Sequence, residues 1–426
     1  MNREYSTRYT KYGHGIDVRK TYEGLPLQAF WTWVTGKSLN SNSPKSPKET
    51  LLSVWQLMLQ VSWGYAVFFV AVIVGQKLIN SDLSWSMKVL LSIPIFCMVV
   101  NRSRGLLHTG HYTIHGATLV NKNQARFFYK WILSIPVLHT PWENYMKIHV
   151  RDHHGINTFS TERDVDLVYM TQHGFYKGMK EKEFWIRLVL APFHPLRIYE
   201  HLNFRFRINF VNCETHEKIS RLTYWTVLLI VAYATGYMEA FLIFYVCSIL
   251  LVTQLSSWVQ HITEHLWFST NSEGLPKYLY YGSLSWGRFF GRPYPKDKTG
   301  LPFVVGFIVW LSGTLLIDIP LRVFAYMQDL PSHDFHHRAP GVNFWSIAPE
   351  RAANEALPSR FGPMTETWSM KESLLIVRDH LCRDESDPFQ IRQWHKENSS
   401  IYESTLRKKS SLKAEQKIQE ITEYSL

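Results

Sequence analysis

The sequence predicts an all-α integral-membrane protein: four to six transmembrane helices carrying a cytoplasmic, His-rich helical metal domain. Three observations lead there. Apolar runs long enough to cross a bilayer, which takes roughly 20 residues of helix, recur along the 426 residues, 46% of which are hydrophobic and 15% aromatic. Histidines gather at 108–115, 149–154, 261–265 and 333–337, just past the ends of apolar runs or between them. The formal charge of +11 suits a membrane protein whose Lys and Arg collect on the cytoplasmic side. No recognised nucleic-acid motif accompanies it, and nucleic acid is not an expected partner.

Residues 1–50 read as a polar, solvent-facing cytoplasmic arm without a signal-peptide core. Within it, Lys37–Lys48 is rich in Ser, Asn and Pro and reads as a linker; Pro44 and Pro47 oppose a helix. Leu51–Leu78 and Trp85–Val100 form a first membrane hairpin around the turn at Asn80, Ser81 and Asp82, and Arg102 and Arg104 mark its cytoplasmic exit. His108, His111 and His115 then fall on a helical extension just beyond the bilayer core. Trp131–Leu138, interrupted by Pro136, is too short to span and reads as interfacial or partly buried.

Residues 181–220 mix aromatic and basic side chains and fit either the membrane surface or a helix packed on the metal domain. Leu222–Val259 suits a second hairpin turning near Gly236–Glu239, which returns His261 and His265 to the face of the earlier clusters. Leu301–Ile317 is shorter, and a single crossing would leave the last histidines on the wrong side. It is expected to be re-entrant, or to return through residues 319–332. Residues 51–345 thus form the membrane and metal-binding region. Residues 346–426 form a cytoplasmic tail, partly helical and loosely ordered at its end. Cys97, Cys213, Cys247 and Cys382 are scattered without a CxxC and read as reduced thiols.

Neutral imidazole is a good ligand for iron or zinc. Four clusters exceed what one zinc needs and suit two metal ions held by helices from distant parts of the chain. On an α-helix His149 and His153 share a face, with His154 beside them. His108 and His261 are either ligands or groups that hold a ligand in place. Glu143, Asp152, Glu264 and Asp334 are candidates to orient ligand imidazoles, Glu264 also as a direct ligand, whereas Asp164 is expected to do no more than bind Arg163. Isolated histidines, among them His14, His139, His173, His194, His201, His216, His380 and His395, read as helix caps or head-group contacts. Two redox-active ions with open positions suit oxygen chemistry, which zinc does not. A membrane metal transporter is the alternative from another class, but it would want its ligands inside the spans.

Three stretches together resemble the integral-membrane fatty-acid desaturase and hydroxylase superfamily, which includes alkane hydroxylases. They are His111-Tyr-Thr-Ile-His115, His149-Val-Arg-Asp-His153-His154 and His333-Asp-Phe-His336-His337, with Glu264-His265 before the last. The six-residue middle box and the Glu-His pair lean towards alkane hydroxylases, while Arg151-Asp-His-His-Gly-Ile-Asn-Thr-Phe looks more like lipid desaturases. Many desaturases carry Asp after the first histidine of the first box, where this chain has Tyr112.

The resemblance covers about residues 50–345. It implies iron ligands at His111, His115, His149, His153, His154, His265, His333, His336 and His337. It also implies two iron ions, with molecular oxygen as co-substrate, that desaturate a fatty-acyl or lipid chain; hydroxylation of such a chain is the nearest rival. There is no His-Pro-Gly-Gly haem motif. Electrons are therefore expected from a separate carrier of ferredoxin, rubredoxin or cytochrome b5 type, in a bacterial inner membrane or the endoplasmic reticulum.

Overall fold

The computed structural model describes residues 8–39, 44–355 and 359–423, with only the helical backbone of 408–423. Residues 40–43 of the expected Lys37–Lys48 linker lie outside the described residues. Among the described residues, four helices are long and apolar enough to cross a membrane: Val54–Ile79, Trp85–Ile114, Met238–Ile262 and Gly300–Phe324.

The first two pack as a hairpin. Ser53 caps the first through the backbone N–H of Gln56, whose side chain reaches back to Ser53. Ser84 caps the second. Side chains such as Trp55, Leu59, Phe69, Leu90 and Ile93 face outward, as lipid-facing residues do. The second helix runs on for 30 residues, and its last half, from Val99 to Ile114, is largely buried. That extension carries His108 and His111 into the interior.

The second hairpin turns where expected, but only one of its arms is a candidate span. Thr215–Ala234 turns at Gly236, whose φ of +77° favours glycine, into Met238–Ile262. Thr215–Ala234 is not among the four candidate spans. Glu217, Lys218 and Arg221 occupy its first turns, and Arg221 is fully buried, bonded to the His139 carbonyl, Ser134 and Asn209.

Gly300–Phe324 also corrects the sequence reading. It is one continuous helix of 25 residues. Pro320 does not break it, because a wide π-turn at Thr314–Asp318 precedes the proline. The last histidines reach the common side because the chain before the helix runs antiparallel to it. Arg292 meets Asp318 (2.9 Å), the Tyr294 ring packs on Trp310 (5.0 Å), and Pro295 lies against Gly306. The chain thus enters and leaves on one side, as a re-entrant element would, and a return through 319–332 is not involved.

The first fifty residues are not wholly solvent-facing: part of the described segment is packed into the fold, while residues 44–49 are exposed. Val18 and Tyr22 are fully buried with Phe289, Trp310 and Trp368. Arg8–Tyr9 joins Thr365–Thr367 and Gly287–Arg288 in a three-stranded parallel sheet with Thr365–Thr367 in the centre. The tail is likewise anchored as far as Tyr402. Leu374, Val377 and Leu381 form the inward stripe of the Met370–Arg383 helix, and they share a core with Phe159, Trp258, Trp267 and Trp286. This core flanks the histidines. The Pro195–Phe210 helix leaves Leu196, Tyr199, Phe204 and Phe206 exposed and turns Asn209 inward. All four cysteines are free.

Candidate metal centre

Four chain segments bring nine histidines together in two adjoining groups, each able to hold a metal ion. His111, His115, His149, His154 and His336 form one; His153, His265, His333 and His337 form the other. These are the nine positions that the three histidine boxes and the Glu264-His265 pair single out. The groups touch where the His154 and His337 rings stack at 4.3 Å.

Local helix geometry decides the partition. His111 and His115 are four apart on the Trp85–Ile114 helix and its C-cap, so both enter the first group. His333 and His337 repeat that spacing in the second. The middle box breaks the pattern: residues 146–153 form a π-helix, and the His154 N–H bonds the His149 carbonyl five residues back at 2.9 Å. His149 and His154 therefore share the first group, and His153 points to the second. The α-helical pairing of His149 with His153 is corrected on this point.

In the first group the Nε2 atoms close a ring: His111–His336 2.7 Å, His111–His149 3.0 Å, His149–His154 3.1 Å and His154–His336 3.2 Å. In the second, His333 Nε2 lies 3.0 Å from His337 Nε2 and 2.8 Å from Glu264 Oε1. Metal–imidazole bonds of about 2.1 Å at right angles set neighbouring donor atoms about 3 Å apart. The spacing fits one ion per group. Unpaired nitrogens support the fit: His115 Nε2 and both ring nitrogens of His265 are buried with no hydrogen-bond partner among the described residues, and such groups are costly unless something binds them.

Electrostatics keeps most of these rings ready to coordinate. Burial, reinforced by neighbouring imidazoles, holds His149, His154, His336 and His337 well below the usual histidine range and His115 at about 3. Neutral rings offer lone pairs. His153 is the exception. Burial opposes its charging, but Asp164 and Asp166 outweigh that and push it up to about 9. It donates its Nδ1–H to Asp164 (3.1 Å), so Nε2 is the nitrogen left to bind a metal, and it would give up its proton to do so. Glu264 also stays ionised, since His333 and His261 outweigh the penalty of burial.

The remaining candidates divide. His108 and His261 lie outside both groups. His108 pairs with Asp329 at 2.5 Å, and His261 donates to the Asp166 backbone carbonyl at 3.2 Å. Of the four proposed supporting carboxylates, only Glu264 meets a ligand-group histidine. Glu143 is exposed and pairs with Arg126, Asp152 faces Arg163 (3.5 Å), and Asp334 binds Arg351 through both oxygens at 3.1 Å. Asp164, expected to bind Arg163, instead orients His153 and caps the following helix. Asp329, which joins His108 and Tyr112, had no sequence signal.

A cavity of about 320 Å³ opens onto His111 and His149 of one group and His153 and His333 of the other. A larger apolar cavity, about 1210 Å³, lies between the Gly300–Phe324 helix and residues 290–298 and touches none of the nine histidines. Of the two, the smaller is the one that reaches the histidines.

Spans leading into paired, buried imidazole groups define a membrane metalloprotein. The fatty acid desaturase family model matches residues 83–294, which include the first two histidine boxes and Glu264-His265. The chain belongs to the fatty acid desaturase/hydroxylase superfamily, oxidoreductases acting on lipid chains. No curated protein and no solved structure matches it.

Proposed function

We propose that the protein desaturates a fatty-acyl or lipid chain with two iron ions and molecular oxygen, residues 51–345 being the catalytic region. The observation that carries this reading is the division of nine buried imidazoles into adjoining groups of five and four. His111, His115, His149, His154 and His336 would hold one ion, and His153, His265, His333 and His337 the other, with Glu264 beside His333 as a further ligand. Bound there, iron supplies the redox chemistry that lets dioxygen take hydrogen from an unactivated C–H bond. The chain's own residues position and insulate. Asp164 fixes the tautomer of His153, Asp329 fixes His108, and Tyr112, Phe159 and Trp267 wall the histidines from water.

Hydroxylation is the second reading, favoured by one observation: His265, of the Glu-His pair that leans towards alkane hydroxylases, joins the second group. A metal transporter is disfavoured, because nine converging imidazoles grip an ion and do not pass it on. Electrons would come from a separate ferredoxin, rubredoxin or cytochrome b5 type carrier. The histidine groups would face the cytoplasm, in a bacterial inner membrane or the endoplasmic reticulum.

The test is lipid analysis of cells expressing the wild type or His153→Ala. A new double bond that needs oxygen and disappears in the variant supports desaturation. A new hydroxyl with the same dependence selects hydroxylation. Unchanged lipids in iron-replete cells that contain folded protein would overturn both.

A further inference from the structure

The helices Glu181–Leu190 and Pro195–Phe210 lie outside the metal centre, and they and their junction expose two kinds of side chain. Val189, Leu190, Phe193, Leu196 and Tyr199 are 47–63% exposed, more adjoining apolar surface than a water-facing element leaves open. The Met238–Ile262 span sets their depth. His201 meets the Leu250 carbonyl (3.1 Å) and Arg205 donates to the Ile249 carbonyl (3.4 Å), just before the apolar run of that span gives way to Thr253, Gln254, Ser256 and Ser257. Trp258, beyond that change, donates to the Leu188 carbonyl (2.8 Å). Both helices therefore lie where a bilayer passes from hydrocarbon to headgroup phosphates.

The second kind is cationic. A cavity of about 480 Å³ lies against both helices and shares no residue with the one that opens onto the histidines. Lys180, Lys182, Arg187 and Arg197 line it, against the single lining carboxylate of Glu183. Glu183 takes Arg187 through Nε (2.9 Å) and Nη2 (2.7 Å), and Glu200 takes Arg197 (2.6 Å). Lys180 and Lys182 are exposed, and neither ammonium has a partner among the described residues. Arg187 is held in place, since a Cβ on Gly174 would overlap its Nη1. At 38% exposure its side chain is open to a ligand. His194 caps the Pro195–Phe210 helix by accepting the Leu196 N–H on Nδ1 (3.3 Å), and the N-terminus of that helix adds partial positive charge at the rim. Accessible cations in excess, at headgroup depth and beside exposed apolar side chains, fit an anion that carries hydrocarbon. A zwitterionic headgroup would bring a further cation to a site already in excess; an anionic one does not.

We propose that this cavity binds the phosphate headgroup of an anionic phospholipid, with Lys180 and Lys182 as the deciding charges, and so seats the two helices on the membrane surface. The lipid held there is a bound ligand and not the chain that reacts, because the cavity touches none of the nine histidines. The site stands whether or not the centre carries out oxygen chemistry.

The test uses the full-length protein in detergent, with dioleoyl phosphatidylglycerol and dioleoyl phosphatidylcholine as probes, so that only the headgroup differs. Binding of each is followed by thermal shift. Phosphatidylglycerol is expected to bind roughly tenfold or more tightly than phosphatidylcholine, at about fivefold per unpaired lysine. Replacing both lysines with glutamine (Lys180→Gln with Lys182→Gln) is expected to bring the two lipids to parity. Replacing both with arginine (Lys180→Arg with Lys182→Arg) is expected to keep the preference. Both side chains are exposed, so without lipid each variant should unfold at the wild-type temperature. Equal binding of the two lipids by the wild type overturns the proposal, and so does a preference that survives in the glutamine variant. Inorganic phosphate is the third probe. If it stabilises the protein as much as phosphatidylglycerol does at the same concentration, the site takes free phosphate and the lipid proposal fails.

Discussion

Lys37 and the histidine groups are both buried polar centres, built on opposite terms. Lys37 is 4% exposed and sits among Asp17, Glu355 and Glu366 at 2.9, 2.9 and 2.7 Å. Arg351 continues the network to Glu355 and to Asp334 of the last histidine box. The three carboxylates round Lys37 stand close enough to hold a metal ion, but the ammonium already supplies the cation. Burial, opposed by Lys37 and aided by Glu355 and Asp17, pushes Glu366 up to about 7. The histidine groups have no internal counterpart of Lys37. Rings converge nitrogen to nitrogen, and several nitrogens have no partner. A centre that satisfies itself holds the fold together, here tying the N-terminal segment to the last box. A centre left unsatisfied is arranged for something it must bind.

The sharpest break of this comparison is Lys37→Met. It leaves the surrounding carboxylates buried without their cation and should cost about 3–5 kcal/mol, read as a large fall in unfolding temperature in detergent; a fall no greater than that of a surface variant would contradict the pairing argument. Acid should act on the other centre. The His115, His149, His154, His265, His336 and His337 rings have pKa values below the ordinary 6.5. The unfolded chain therefore takes up their protons first, and stability present above pH 6.5 is lost as pH falls towards the folded values. His153, raised to about 9, works the other way but is one ring against six. Unfolding of the metal-free protein should thus move to lower temperature between pH 7 and 5, and a flat profile would count against neutral rings.

Smaller effects sharpen the contrast. Asp164→Asn should weaken metal binding 10–100-fold by loosening His153, measured by chelator competition. His265→Leu should remove binding at the second group yet leave the metal-free protein as stable or more so, since neither ring nitrogen has a partner to lose. Glu143→Ala should do least. Its pair with Arg126 is about half exposed on both sides, worth under about 1 kcal/mol, and metal content should not change.

The nine histidines were legible because ligand spacing survives in sequence: His111 and His115, or His333 and His337, declare a shared face by being four apart. Their division was not. It depends on the π-turn that aligns His149 with His154, and no residue pattern announces an i→i+5 bond. Supporting carboxylates were misjudged for a similar reason. Glu143, Asp152 and Asp334 lie next to the boxes in sequence, but Asp164 and Asp329 reach His153 and His108 across 11 and 221 positions. Composition also misled at the ends of the chain. Polar runs around Val18, Tyr22, Leu374 and Val377 hid inward stripes that only tertiary packing reveals. The Gly300–Phe324 helix looked too short because Asp318 and Pro320 interrupt its apolar run, though Arg292 pairs with the first and the π-turn accommodates the second.

The most direct test of the two-group centre is iron per chain in purified protein, by elemental analysis, for the wild type, His336→Ala and His265→Ala. About two irons in the wild type and about one in each variant, lost from different groups as judged by Mössbauer spectroscopy, is the expected result. A single metal per wild-type chain, or loss of the same ion in both variants, would contradict the division of the nine histidines into two sites.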